Sequence, residues 1–309
     1  MRNAFAAAIT DLAATDERIV LLSGDIGNRL FDAYRDRFPD RFYNCGVAEA
    51  NMTGMAAGLA LSGLRPFTYT ITPFATTRVI EQIRVDICYH DVPVVIVGTG
   101  SGLSYASLGP THHSCEDVGI LRCFPNLTLL CPADSTEVRP AIEASLRLHG
   151  PAYIRLGKKG EPTIHATPPT FRIGEGIVMR EGGDVCLLGM GTMTSIALDA
   201  ARELDAKGLS SRVVSMHTVK PLDEALLADA FTRFRAVAVV EEHSVIGGLG
   251  SAVAEWLARR DGAHPPLVAC GTPDTFISES GSQTWMRERC GLTGPAVAAA
   301  VIARLGASP

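Results

Sequence analysis

The sequence predicts an α/β protein built from two parallel-sheet α/β domains. Three observations carry this reading. Short β-branched runs alternate with helical patterns, a polar Pro-rich stretch without period runs from Lys158 to Pro169, and 309 residues suit two domains of ~150 residues each.

In the first half, Arg18–Leu22, Phe42–Cys45, Pro66–Tyr69, Val92–Val97, Leu127–Cys131 and Tyr153–Leu156 read as strands. Residues 3–14, 49–61, 75–89 and 134–148 between them read as helices. In the second half the strands are Val185–Leu188, Ser211–Ser215, Ala236–Val240 and Leu267–Cys270, with helices near 193–206, 223–232, 249–260 and 294–305. The expected division is a first domain over 1–160, a linker over 161–175 and a second domain over 176–309.

A hydrophobic content of 47%, a charged content of 20% and a net charge of −5 describe an ordinary soluble protein with no basic surplus for nucleic acid. No run approaches the ~18 apolar residues of a membrane span. Met1–Phe5 lead into an amphipathic pattern rather than an apolar signal core. The eight cysteines show no CxxC spacing and read as buried thiols of a cytoplasmic protein, not as a zinc site or a disulfide framework.

The most informative stretch is Tyr43–Asn51, which places a lone carboxylate, Glu49, between a strand and the start of an apolar helix. Taking a carboxyl out of water favours its protonated form and suits it to share a proton with a bound base. An acid in a first helical turn also simply favours the positive end of the helix dipole. Strand ends carry the polar segments 24–28, 98–117 and 241–250, where ligands bind in open α/β sheets.

Gly98–Gly102 follows a strand but lacks the helix and the acid of a dinucleotide fingerprint, so it reads as a loop shaping a cleft. Gly109–Asp117 holds His112 and His113, adjacent and therefore unable to face one way on an extended backbone. One histidine facing a cleft as acid or base is the functional reading. Gly24–Asn28 with Asn44 lacks the third glycine of a Gly-Asp-Gly…Asn motif that holds metal and diphosphate, so no metal site is expected on this chain. Neither a Gly-x-Ser-x-Gly elbow nor a P-loop occurs. Glu241-Glu242-His243 reads as an interface or helix-capping cluster rather than a site.

The order and spacing of Ser23-Gly24-Asp25, Gly46-Val47-Ala48-Glu49, Gly63–Phe67, Glu81–Arg84, Gly109–His112, Cys131–Asp134, Val219–Asp223 and Gly247–Val253 resemble the C-terminal half of transketolase in its split, two-polypeptide form. The likeness implies a thiamine-diphosphate pyrimidine-binding fold followed by a transketolase C-terminal domain. It implies thiamine diphosphate as cofactor, with Mg2+ (or Ca2+) and the diphosphate held by an N-terminal partner subunit in an α2β2 heterotetramer. Glu49 then matches the glutamate that hydrogen-bonds the aminopyrimidine and favours its imino tautomer, and His112 a histidine beside the reacting centre. Phe74 matches an aromatic that stacks on the pyrimidine, Asp25 an acid near the cofactor's cationic ring, and Ile26 the aliphatic wedge that bends it. Arg2 and Arg155 match arginines that grip a sugar phosphate, and His113 is a further substrate contact beside His112.

Three departures bear on substrate. Gly100 stands where typical transketolases have a histidine, Leu108 where they have an acid for the acceptor's 2-hydroxyl, and Ile80 where they have a second aromatic. Sugar hydroxyls left unpartnered against Leu108 would cost on the order of 1–3 kcal/mol each, which predicts a less hydroxylated or bulkier acceptor. The β subunit of a 2-oxoacid dehydrogenase, deoxyxylulose phosphate synthase and a non-catalytic regulatory subunit are the alternatives.

Overall fold

The computed structural model describes residues 1–26 and 29–306. Gly27 and Asn28, the end of the incomplete metal-diphosphate motif, therefore lie outside the described residues.

The strands are β1 (Ile19–Ser23), β2 (Phe42–Asn44), β3 (Arg65–Ile71), β4 (Val95–Thr99), β5 (Thr128–Leu130), β6 (Ala152–Leu156), β7 (Ile177–Arg180), β8 (Val185–Gly189), β9 (Ser211–Ser215), β10 (Thr218–Lys220), β11 (Ala236–Ser244) and β12 (Leu267–Thr272). They form a seven-stranded sheet in the order β10-β5-β6-β4-β3-β1-β2 and a five-stranded sheet in the order β12-β11-β8-β9-β7. The central strands β1, β4, β6, β8 and β9 are buried along their whole length. That is the burial expected of parallel strands covered on both faces, and it explains their nearly continuous apolar sequence.

On one face of the large sheet, helices Arg2–Ala13 and Ser135–Leu146 pack Phe5, Ile9, Val138 and Ile142 against Leu21, Phe67, Val95 and Ile154. On the other face, helix Glu49–Leu61 and the segment after it pack Met52, Ala56, Ile83 and Ile87 against Val20, Leu22 and Ile96. This second cluster continues into the C-terminal sheet through Cys186, Leu188, Val214 and Met216, so one apolar core spans both halves.

Two features differ from the sequence reading. The sheets are mixed rather than purely parallel, because β7 pairs antiparallel with β9, and β10, from the C-terminal half, pairs antiparallel with β5. The predicted helix over 75–89 is instead a chain of short pieces, from Thr72–Ala75 through 3-10 and α turns to a π-helical Ile83–Tyr89.

The charged cluster at the end of β11 serves both structural roles expected of it. Glu241 accepts from Leu249 N at 2.7 Å and Gly250 N at 2.9 Å, which satisfies the start of helix Leu249–Leu257. Glu242 faces the first domain, accepting from Leu103 N at 2.6 Å while Gln283 and Arg287 hold its other contacts. His243 is buried and neutral in role: its Nε2 accepts from Gly119 N at 3.1 Å and burial lowers its pKa.

Among the described residues no helix is long and apolar enough to cross a membrane, and no cluster of three or more His, Cys, Asp or Glu side chains could hold a metal ion. All eight cysteines are free thiols, four of them buried, although Cys123 is exposed.

Candidate active site

Parallel pairing aligns the C-terminal ends of β1, β3, β4 and β6 along one border: Ser23 lies beside Tyr69, Thr70 beside Gly98, and Thr99 beside Leu156. Several of the candidate site residues gather at this border.

Helix Glu49–Leu61 begins at Glu49 itself, after a turn in which Gly46 adopts φ +70° and its N–H donates to Asn44 Oδ1 at 3.0 Å. Only glycine takes that backbone at little cost. Glu49 is 3% exposed, and Arg78 Nη1 donates to its Oε2 at 2.9 Å. Gly24, at the end of β1, runs so close that a Cβ there would meet Thr70 Oγ1 at 3.0 Å and Glu49 Cγ at 3.5 Å.

Arg78 also spreads its guanidinium 3.9 Å from the centre of the Phe74 ring. Phe74 in turn meets His112 edge to face, with centroids 5.3 Å apart. His112 Nδ1 pairs with Thr111 Oγ1 at 2.9 Å, which fixes the ring's orientation, and the Tyr105 ring centre lies 6.0 Å from that of His112. Glu49, Arg78, Phe74, His112 and Tyr105 thus form one continuous wall.

Asp25 sits in the left-handed region at φ +54° and accepts from Asn44 Nδ2 at 2.9 Å. With Ile26 it borders a hollow of about 350 Å3 that Arg29, Asp32 and Asn44 also line. Ile80 and Leu108 are exposed, at 38% and 50%. Arg2 is half-buried, and its Nε donates to Lys158 O at 3.1 Å.

Two of the residues named as substrate contacts lie elsewhere. Arg155 is 4% exposed and grips Asp117, with Nε to Oδ2 at 2.8 Å, while Nη2 reaches Ser114 O at 3.1 Å and Glu242 O at 2.9 Å. Burial would raise the Asp117 carboxyl, but the adjacent guanidinium outweighs it and holds that carboxyl below its ordinary range. A guanidinium so enclosed braces the histidine loop and the domain junction instead of facing a phosphate. His113 turns the other way from His112, into an interdomain hollow of about 280 Å3 shared with Cys115, Glu116 and Phe276. Its Nε2 is buried without a partner among the described residues, and burial lowers its pKa.

Residues 1–161 match the family described as transketolase, pyrimidine binding domain, and residues 174–297 that described as transketolase, C-terminal domain. The chain belongs to the transketolase family. It corresponds to the C-terminal half of the split, two-polypeptide form of transketolase. It is 39% identical over 294 residues to the 6-deoxy-6-sulfo-D-fructose transketolase subunit SqwH of Clostridium sp. (strain MSTE9), covering 95% of this chain and 90% of that one. It is 38% identical to an apulose-4-phosphate transketolase subunit of Actinobacillus succinogenes (strain ATCC 55618 / DSM 22257 / CCUG 43843 / 130Z), over 84% of this chain and 83% of that one. Among solved structures it superimposes on a split gene transketolase described as an inactive beta4 tetramer. The TM-score is 0.89 at 38% identity, covering 99% of this chain and 97% of that one.

The transketolase family is thiamine diphosphate dependent. The residues at the wall fit an aminopyrimidine. Thr70 Oγ1 is buried and has no hydrogen-bond partner among the described residues, beside a Glu49 whose Oε2 alone is taken by Arg78 and a Phe74 ring of matching flatness.

Sequence reasoning missed Arg78, Thr70, Tyr105 and Lys158 as parts of this region. The spacing of Phe74 and Arg78, four apart, was the one available signal for the first.

Proposed function

We propose that this chain is the catalytic C-terminal subunit of a split transketolase that moves a two-carbon ketol unit from a ketose or ketose phosphate to a specialised aldehyde acceptor. The observation that carries the reading is the buried Glu49 carboxylate at a helix start, braced by Arg78 beside Phe74 and His112.

When bound, thiamine diphosphate supplies the nucleophilic carbon that carries the ketol unit. In this reading Glu49 holds a proton at the pyrimidine ring nitrogen, and Phe74 presents a flat apolar wall that fixes the ring's plane. Arg78 keeps the Glu49 side chain in place, so the carboxylate needs no reorganisation to act. His112, oriented by Thr111, takes or returns a proton at the donor's hydroxyl. Asp25 and Ile26 would line the path toward the coenzyme's centre, and Leu108 would select against hydroxyl-rich acceptors.

The metal, magnesium or calcium, and the diphosphate belong in this proposal to an N-terminal subunit, in an α2β2 assembly. Supporting it is the exposed apolar set on helix Glu49–Leu61, just before it and on the segment packed beside it: Val47, Met55, Leu61, Ile80 and Tyr89 are 75%, 37%, 65%, 38% and 81% exposed. Such an exposed apolar set marks a surface that another chain covers. The reading includes a cytoplasmic setting, in keeping with eight free thiols.

Co-purification with a partner carrying Gly-Asp-Gly…Asn, followed by ketol-transfer assays, tests the whole. Ketol transfer by the mixture supports it, and tight coenzyme uptake by the isolated chain would defeat the shared site. Normal efficiency with ribose 5-phosphate would refute the specialised acceptor.

A further inference from the structure

The C-terminal domain reaches the loop that carries His112 through one carboxylate. That loop leaves the large sheet after β4 and closes at its base, where Gly102 N donates to Ser114 O at 3.0 Å and Ser114 N to Gly102 O at 2.9 Å. Between these two residues it is held by short turns of its own, among them Leu108 N to Tyr105 O at 2.8 Å and His112 N to Gly109 O at 3.0 Å. Tyr105 packs on Gly100 so closely that a Cβ there would meet the ring's Cε2 at 2.0 Å. The pose of His112 therefore follows the pose of the base.

That base rests on β11. The pairing of β11 with β12 slips between Val240 and Ser244, and an irregularity of this kind re-aims side chains. Here it delivers Glu242, 1% exposed, to the first domain, where Leu103 N donates to its Oε1 at 2.6 Å. Gly102 runs so near that a Cβ would meet Glu242 O at 2.7 Å, and its φ of +59° suits glycine. On the other arm of the loop, Ser244 N donates to Cys115 O at 2.7 Å, and Arg155 Nη2 joins Ser114 O to Glu242 O. Glu242 is itself held from helix Gln283–Arg289: Gln283 Nε2 donates to Oε1 at 2.9 Å and Arg287 Nε to Oε2 at 2.8 Å. A buried carboxylate with this many fixed donors favours a single geometry, since any other leaves a charge or an amide unpaired.

We propose that Glu242 is a positioning residue for ketol transfer, fixing the base of the 102–114 loop so that His112 meets the donor's hydroxyl. The inference rests on the function proposed above and gives the C-terminal domain a share in it. In this scheme Glu242 touches neither coenzyme nor substrate. It acts through His112, and misplacing a reacting group by about 1 Å can cost about 100-fold in rate.

The test is a double-mutant cycle in the reconstituted holoenzyme, with coenzyme affinity measured for each variant. Glu242→Ala should lower kcat about tenfold to a hundredfold in the wild-type background. Coenzyme Kd should stay within about twofold, since Glu49 and Phe74 lie on other elements and distant sites act independently. In a His112→Ala background the same change should cost less than about threefold, because the group it positions is already gone. Glu242→Gln keeps an oxygen for the Leu103 amide and should recover most of the lost kcat. Should Glu242→Ala fail to fold, Gly102→Ala strains the same contact from the loop side and takes its place in the cycle. An equal fall in both backgrounds, an unchanged kcat, or a loss of coenzyme affinity that matches the loss of rate would overturn the assignment. Absence of ketol transfer by the wild-type holoenzyme would instead remove the proposed function on which it rests.

Discussion

Arg78 donates to the Glu49 carboxylate at 2.9 Å while its guanidinium covers the Phe74 ring at 3.9 Å. One exposed side chain therefore aligns the acid and the aromatic, although residues 49 and 78 belong to different elements.

Replacing Glu49 with Gln or Ala should lower ketol transfer by the reconstituted enzyme at least 100-fold, the lower bound of a positioned acid or base. The melting temperature of the isolated chain should change little, because Arg78 is 44% exposed and is not stranded by the loss. Full activity of Glu49→Ala would return the chain to the reading of a regulatory subunit.

Arg78→Met keeps bulk over Phe74 but removes the charge. Coenzyme titration of the holoenzyme should show weaker binding, by on the order of tenfold for the removal of a charged hydrogen bond together with a cation-π interaction. Unaltered coenzyme affinity would mean that Glu49 holds its place without help.

Asp117→Asn leaves the Arg155 guanidinium buried without its counter-charge, at a site where both side chains are 3% exposed or less. Breaking one side of such a pair costs about 3–5 kcal/mol. Urea unfolding should show that loss. A change under about 1 kcal/mol would be at odds with Arg155 as an interior brace.

Much of this architecture was legible in the sequence. The order of strands and helices in each half follows from apolar runs bounded by turn residues, and Glu49 stood out as a lone acid between a strand and the start of an apolar helix. What the sequence hid depends on distant contacts. Arg155 meets Asp117 across 38 positions, so its motif alone could not reveal that burial would take it from the substrate. Tyr105 reaches Gly100 only because the loop folds back on itself, and β10 is too short, at three residues, for any periodicity. The long helix over 75–89 failed because the segment tightens to 3-10 turns at Thr77–Val79, which include Arg78, and then widens to π turns over Ile83–Tyr89.

Burial raises Glu241 from 4.5 to about 7, against the pull of the Gly250 and Leu249 amides. The folded chain thus holds this proton more tightly than the unfolded one. Its stabilisation is complete below pH 4.5 and is lost as pH rises through about 7. Relative to Glu241→Gln, which does not titrate, the wild type should lose on the order of a few kcal/mol across that window. Chemical unfolding of both proteins at pH 5 and pH 8 measures it, and a constant difference would contradict the assignment.

The attachment of β10 to β5 has a consequence for assembly. With β10 capping β5, the large sheet ends among the described residues in two three-residue strands, β10 at one rim and β2 at the other, which are short edges for backbone pairing with a neighbour. Growth of that sheet by adding strands is thereby disfavoured, and a complex formed on it rests on side-chain contacts from helices and loops, which can come apart and re-form without unravelling the fold.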